Sequence, residues 1–477
     1  GKILPDGRYK IDTRLRTTGY RERLPFEPAL AFAFKDESFI GNLEQCNGCG
    51  GCRKDAPTMC PTFLATGDEY MSTRGRANAI RAALELRTEG DDPLRAYELE
   101  EALSNCLSCK ACTVECPSNV NMALLKAELL YARHRRDGLP LRERMLSAVD
   151  LLGRLGCLTP GLANSALEFA PLRRLMSKTL GISARRPLPH YALERFDKWF
   201  VKRSRTVAGG DDPGGERRSQ RAGVTAPGYN TASGDNGARR GPVILWDDTF
   251  VRYHEPHIGI AAVAVLEKLG FEVSLPKGRW CCGRPAFSQG NLDEARRLGA
   301  HNLELLCAGE PQGPIVFLEP SCYSMFVEDY RELKLADFDP VAKRSFLFEK
   351  FVDDILEREP DALEFRNGST EKVAIHAHCH AKSLLKPGFM ARLAARLPGR
   401  NVQLLDTGCC GMAGAFGALD SKYQLSLQVA EPLVRQIAAQ PPGATIVASG
   451  TSCRHQIEHL TPVRPKHMAE LLAEALA

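Results

Sequence analysis

Apolar positions along this chain follow two regimes. Between residues 41 and 200 they recur three and four apart, the helical period. Ile80, Ala83 and Leu84 share one face of a helix expected over Thr73–Leu86, with Ser72 as its N-cap. Leu125, Leu129 and Leu130 do the same for a helix over Met122–His134. From residue 241 short apolar runs alternate with helical stretches. Strands are expected at Val243–Trp246, Phe271–Leu275, Ile315–Leu318, Val373–His376, Val402–Leu405 and Thr445–Ala448. Helices are expected at Ile258–Leu269, closed by Gly270, and at Ala295–Leu306 and Tyr423–Ala439. Such alternation implies parallel sheets covered by helices.

Composition breaks the chain where these regimes meet. Residues 204–240 are rich in Gly, Ser, Asp and Arg and hold no core-forming run, so a flexible linker is expected there. The expected organisation is a lead-in at 1–40, a helical domain at 41–203, the linker at 204–240, and two α/β repeats at 241–360 and 361–477. At 477 residues, 44% hydrophobic and 25% charged, the chain is ordinary for a multidomain globular protein. A net charge of +5 with interspersed signs gives no nucleic-acid signature. The longest apolar helical stretch, Ile258–Leu266, is far short of the roughly 20 residues of a membrane span.

The cysteines change the picture most. Cys106, Cys109, Cys112 and Cys116 stand in C-L-S-C-K-A-C-T-V-E-C-P, the spacing that bacterial ferredoxins use for a [4Fe–4S] cluster. Cys46, Cys49 and Cys52 form a second C-x2-C-x2-C, followed by Cys60-Pro61. Helices interleaved with two such runs resemble an α-helical ferredoxin, so an α-helical ferredoxin-like domain is expected at 41–203. In two-cluster runs the fourth cysteine ligates the other cluster. The expected sets are therefore Cys46, Cys49, Cys52 and Cys116 for one, and Cys106, Cys109, Cys112 and Cys60 for the other. C-x2-C pairs also suit zinc, but structural zinc takes two pairs and not this longer run. Seventeen cysteines grouped in this way point to metal chemistry in a reducing cytoplasm.

The second half repeats a cysteine pattern. Copy one has C-C-G-R-P at Cys281–Pro285 and E-P-S-C at Glu319–Cys322; copy two has H-A-H-C-H at His376–His380, Cys409-Cys410-Gly411, and S-G-T-S-C at Ser449–Cys453. Copy two thus offers Cys379, Cys409, Cys410 and Cys453 as ligands of a third cluster, with a zinc or free-thiol site as the alternative. Copy one offers only Cys281, Cys282 and Cys322; the counterpart of Cys379 is expected near Tyr253–Pro256, where no cysteine occurs. Copy one is read as a degenerate repeat kept for fold and interface. Cys157 and Cys307 read as ordinary buried cysteines. His376, His378 and His380 read as loop or capping residues ahead of metal ligands or proton relays. No G-x-G-x-x-G follows a strand, and there is no phosphate-binding loop or serine elbow, so no flavin or nicotinamide site is expected in this segment.

These motifs together resemble a known group. The doubled Cys-Cys-Gly pattern is similar to the cysteine-rich domain of heterodisulfide reductase, found also in the iron–sulfur subunits of glycolate oxidase, lactate-utilisation proteins and anaerobic glycerol-3-phosphate dehydrogenase. C-N-G-C-G-G-C-R-K, M-C-P-T-F, S-T-R-G-R-A-N and C-L-S-C-K-A-C-T-V-E-C-P-S-N-V look closest to fused flavin/iron–sulfur dehydrogenases of D-2-hydroxy acids such as D-2-hydroxyglutarate or D-lactate. Gly1-Lys2-Ile3-Leu4 is similar to the tail of an FAD-linked oxidase domain. The resemblance implies electron transfer through two [4Fe–4S] clusters and a third iron–sulfur cluster. It further implies FAD on an upstream domain or partner subunit, and an acceptor that is a quinone or an electron-transfer protein. A cytoplasmic protein is expected, including one held peripherally at the inner face of the membrane. The alternative is a heterodisulfide-reductase-like thiol/disulfide catalyst, which lacks its late C-x-x-C here.

Overall fold

The computed structural model describes residues 24–33, 37–54, 59–85, 92–208, 240–309, 312–368 and 370–477. Most of the expected lead-in (1–23 and 34–36) and of the expected linker (209–239) lies outside the described residues.

The first part is helical. Pro61–Thr66, Thr73–Glu85 and Tyr97–Ser104 lie between the two cysteine runs, and Met122–Asp137 follows the second. Ser72 caps Thr73–Glu85 as expected, its Oγ accepting from Gly75 N at 2.9 Å. The apolar stripe of Met122–Asp137 buries Leu125 and Leu129 completely. Four shorter helices, Leu141–Ser147, Val149–Gly156, Pro160–Glu168 and Ala170–Leu180, lead on towards Phe196–Ala208.

The second part holds two parallel sheets. In the first, β1 (Gly241–Trp246) pairs with β2 (Phe271–Ser274) and β3 (Ile315–Phe317), and β3 with β4 (Ser345–Leu347), in the order β2-β1-β3-β4. In the second, β5 (Glu371–His376) lies between β6 (Arg400–Leu404) and β7 (Thr445–Ala448). β2-β1-β3 and β6-β5-β7 are the same arrangement used twice, so the sequence repeat is a structural repeat. In the second sheet the place of β4 is taken by a single parallel bridge, Lys466 to Val447 of β7. Both central strands are buried at their last four positions, as strands covered on both faces must be. The C-terminal helix Met468–Ala475 packs against Pro256–Lys268 of the first repeat, and Phe365 bridges Leu476. One apolar core runs continuously from the helical part through both repeats.

A candidate chain of cysteine sites

The two ferredoxin-type runs wind alike. In the first, Gly48 and Gly50 have φ of 77° and 73°; in the second, the equivalent Ser108 and Lys110 have 51° and 61°. Left-handed conformation costs glycine nothing but strains Ser and Lys. Alternating left- and right-handed residues turn successive N–H groups inward, a concavity suited to an anionic centre. Lys110 is held in its strained position by its side chain. Its Nζ is buried and donates to Ser324 Oγ at 3.0 Å, Glu328 Oε2 at 2.6 Å and Asp329 Oδ1 at 2.9 Å. Burial pushes the Asp329 carboxyl up, but Arg284 and Lys110 outweigh it and keep it low. The second cysteine loop is thereby bolted to the first repeat.

Cys60 lies close to both runs. Its charge acts on Cys52, along with that of Cys46, and also on Cys112, along with those of Cys106 and Cys116. The first loop in turn meets Pro117, the residue after Cys116: a Cβ placed on Gly51 would stand 3.5 Å from Pro117 Cδ. Burial and the neighbouring thiols push Cys112 up to about 12. Thiols this crowded cannot all ionise unless a multivalent cation sits among them. A sulfur-only donor set with inward-turned N–H groups fits iron–sulfur clusters. Arg74 N adds to it by donating to Cys52 Sγ at 3.3 Å.

In the second repeat the sulfurs of Cys379, Cys409, Cys410 and Cys453 form a hydrogen-bonded series in that order. Cys379 opens the helix Cys379–Leu384 after β5, Cys409 and Cys410 lie after β6, and Cys453 is the third residue of Thr451–Leu460 after β7. All therefore gather at the C-terminal ends of the strands, where open α/β sheets bind ligands. Gly411 has φ of 83°, and a Cβ there would stand 2.4 Å from Ser426 O, so no other residue allows this turn. The hydrogen bond from Cys409 holds Cys379 down to about 6 against burial, with His378 and Lys382 assisting. Cys410 is likewise lowered by hydrogen bonds from Cys409 and Cys453.

The three histidines each make a hydrogen bond through the ring, while His376 Nε2 and His380 Nδ1 are buried with no partner among the described residues. His378 caps the Cys379 helix, its Nδ1 accepting from His380 N at 3.1 Å. His376 Nδ1 and Thr407 Oγ1 share a hydrogen bond of 2.7 Å, and His380 Nε2 and Ser108 O one of 3.2 Å.

The first repeat brings together three thiols, with Cys282 Sγ and Cys322 Sγ 3.0 Å apart. Strand register corrects the expected position of the missing ligand. β1 and β5 align Trp246 with His376, so Cys379 corresponds to Thr249, four residues before Tyr253. Thr249 Oγ1 donates instead to Asp150 Oδ1 at 3.0 Å. Cys157 and Cys307 are also corrected, being half-buried; Cys157 closes the helix Val149–Gly156.

The contact sequence reasoning missed joins the two halves. Cys109 and Cys379 share one small apolar cluster with Leu107, Cys409 and Phe416. After burial, Cys379 is the strongest influence raising Cys109. No motif signals this pairing, since it depends on how the helical part docks onto the second repeat.

Comparison with known proteins agrees with this arrangement. A 4Fe-4S dicluster domain matches residues 42–120, and a cysteine-rich domain matches twice, at 249–327 and 373–458. The chain is 28% identical over 347 residues to a subunit of anaerobic glycerol-3-phosphate dehydrogenase of Escherichia coli strain K12, covering 71% of this chain and 78% of that protein. It is 25% identical to D-2-hydroxyglutarate dehydrogenase of the same strain, along 100% of this chain but only 47% of that protein. It is 27% identical to lactate utilization protein A 1 of Bacillus mycoides strain KBAB4, over 46% of this chain and 91% of that protein.

Proposed function

For a chain that carries a 4Fe-4S dicluster domain and two cysteine-rich domains, as the iron–sulfur parts of oxidoreductases do, we propose electron transfer within a flavin-dependent D-2-hydroxy acid dehydrogenase. FAD would sit on an upstream domain or a partner subunit. Cys46, Cys49, Cys52 and Cys116 would hold one [4Fe–4S] cluster, and Cys60, Cys106, Cys109 and Cys112 another. Cys379, Cys409, Cys410 and Cys453 would hold a third. Bound there, these clusters supply one-electron transfer between the two-electron chemistry of a flavin and an external acceptor. The chain's own residues set the spacing, exclude water and tune charge. The observation that carries the reading is the Cys109–Cys379 neighbourhood, which supports a continuous path from the helical part into the second repeat. The first repeat, with three thiols and Thr249 in place of a fourth, would serve as the scaffold that Lys110 grips.

The experiment is a Cys379→Ser variant of the full-length protein. Substrate should still reduce the ferredoxin-type centres, while transfer to the acceptor falls at least about tenfold. Acceptor reduction at the parent rate would remove the second repeat from the path.

A second reading has one observation in its favour. Hydrogen bonding from Cys409 lowers the Cys379 thiol against burial, the direction a thiol/disulfide catalyst requires. Turnover of a disulfide substrate that survives iron removal would favour it over electron relay.

The acceptor would be met at a membrane surface. No helix among the described residues is long and apolar enough to cross a membrane. Yet Leu151, Leu155, Leu158, Leu162, Phe169 and Leu175 are all exposed on three consecutive short helices and the turns between them, Leu158 and Leu162 at 71% and 73%. Arg154, Arg174 and Lys178 on the same helices are exposed and make no ion pair among the described residues. Exposed leucines and a phenylalanine beside unpaired cations suit an anionic bilayer surface. This supports peripheral attachment and a quinone as acceptor.

A further inference from the structure

The helix Thr73–Glu85 carries three arginines beside the cysteine runs, and they differ in one respect. Arg74 Nη1 donates to Gly48 O at 3.3 Å, in the first run, and its charge is paired with Glu69 at 2.8 Å. Arg81 Nη2 donates to Cys46 O at 3.0 Å, also in the first run, and is paired with Glu44 at 3.2 Å. Arg76 points the other way. It is 2% exposed, and Nη1 donates to Cys60 Sγ at 3.1 Å. Its remaining donors go to uncharged oxygens: Ala102 O at 2.8 Å, Thr62 Oγ1 at 2.7 Å and Asn105 O at 3.1 Å. Among the described residues no carboxylate pairs with it. The negative charges that act on it are those of Cys60, Cys106 and Cys112.

A buried guanidinium with no counter-ion is among the most costly groups a protein can hold. It is tolerable here only if the sulfur site beside it is anionic. Lys126 reinforces the same side: its Nζ donates to Cys106 O at 2.6 Å, and burial is what lowers its own pKa. Near the first run Arg53 and Arg74 share Glu69, and Arg81 pairs with Glu44. Near the second run Arg76 has no carboxylate partner among the described residues, and its guanidinium meets a cysteine sulfur directly.

We propose that Arg76 is the counter-ion of the cluster held by Cys60, Cys106, Cys109 and Cys112, and that it makes this centre the more easily reduced of the two ferredoxin-type centres. The inference rests on the two-cluster reading above and adds a direction to it. The step is a one-electron exchange: one centre loses the electron that the other gains, no bond breaks and no proton moves. Net charge and hydrogen bonds to sulfur are the protein's means of setting such potentials. An electron settling on the second centre stands next to Cys379, at the way into the second repeat.

The test is an anaerobic, EPR-monitored redox titration of the full chain with iron counted in each sample. Arg76→Gln should lower one of the two ferredoxin-type midpoints and leave the other in place, and Arg76→Lys should restore most of the loss. Arg74→Gln, which removes a cation already paired, should shift the midpoints less. Unchanged midpoints in Arg76→Gln at full iron content would overturn the proposal, and so would an equal shift of both. If Arg76→Gln loses about four irons, the content of one cubane, retention in Arg76→Lys supports the counter-ion and loss in both contradicts it. Failure of the two-cluster reading would be visible separately, as a parent chain with iron for fewer centres.

Discussion

Glu349 shows at the residue scale how much depends on what a buried charge faces. It lies fully buried on Phe348–Arg358, with Oε1 hydrogen-bonded by Ser449 Oγ and Oε2 without a partner. Burial pushes its carboxyl up to about 7, and Glu319 adds to the rise. A carboxyl raised in the folded state is harmless while protonated in both states, below about pH 4. Its penalty grows as pH rises from there and is complete above about pH 7. Glu349→Gln should therefore matter little near pH 4 and stabilise the protein by about 3 kcal/mol near pH 8. Denaturant unfolding at the two pH values checks this. Equal effects at both would mean that Glu349 is ionised at no cost. Arg76 is the opposite case, a buried cation whose partner is the sulfur site itself.

Lys110 belongs to the scale of elements, because one side chain ties the second cysteine loop to the first repeat. Its partners Ser324, Glu328 and Asp329 lie on the helical segment after β3. Removing one member of a buried ion cluster leaves the others uncompensated, at a cost of about 3 kcal/mol. Lys110→Met should lower stability by that order and also loosen the Cys109–Cys379 neighbourhood; Glu328→Gln, whose carboxylate is partly exposed, should cost less than about 1 kcal/mol. Thermal unfolding with iron retained would check it, and equal effects would contradict the bolt. Legibility in the sequence also divides at this scale. Thr73–Glu85 and Thr445–Ala448 lie where period and capping placed them, within a residue or so. Both were readable because they rest on local rules. β4 was not, since Ser345–Leu347 is three residues long and follows a helix with no turn signal. Thr249 as the counterpart of Cys379 was missed because a Cys-to-Thr change leaves no motif, and only strand register aligns the two. The Lys110 network and the Cys109–Cys379 contact join residues more than two hundred positions apart, which no local pattern encodes.

Across the whole molecule, one continuous core links the two cysteine runs to both repeats, and the exposed leucines of Val149–Gly156 and Pro160–Glu168 point away from it. The leucine face makes a prediction of its own. The parent should sediment with vesicles containing anionic lipid and release in high salt. A Leu155→Ser, Leu162→Ser variant should bind at least about tenfold more weakly, since each exposed leucine that inserts contributes about 1.5–3 kcal/mol. Binding to neutral and anionic vesicles alike, or none to either, would contradict the charged-bilayer account. The central claim is that electrons from a D-2-hydroxy acid reach the clusters of this chain. It is tested most directly by anaerobic EPR on the full-length protein with its flavin, given D-2-hydroxyglutarate and then D-lactate, with dithionite as control. Signals of reduced iron–sulfur clusters on adding one of the two acids are the predicted result. Signals with dithionite and with neither acid would contradict it.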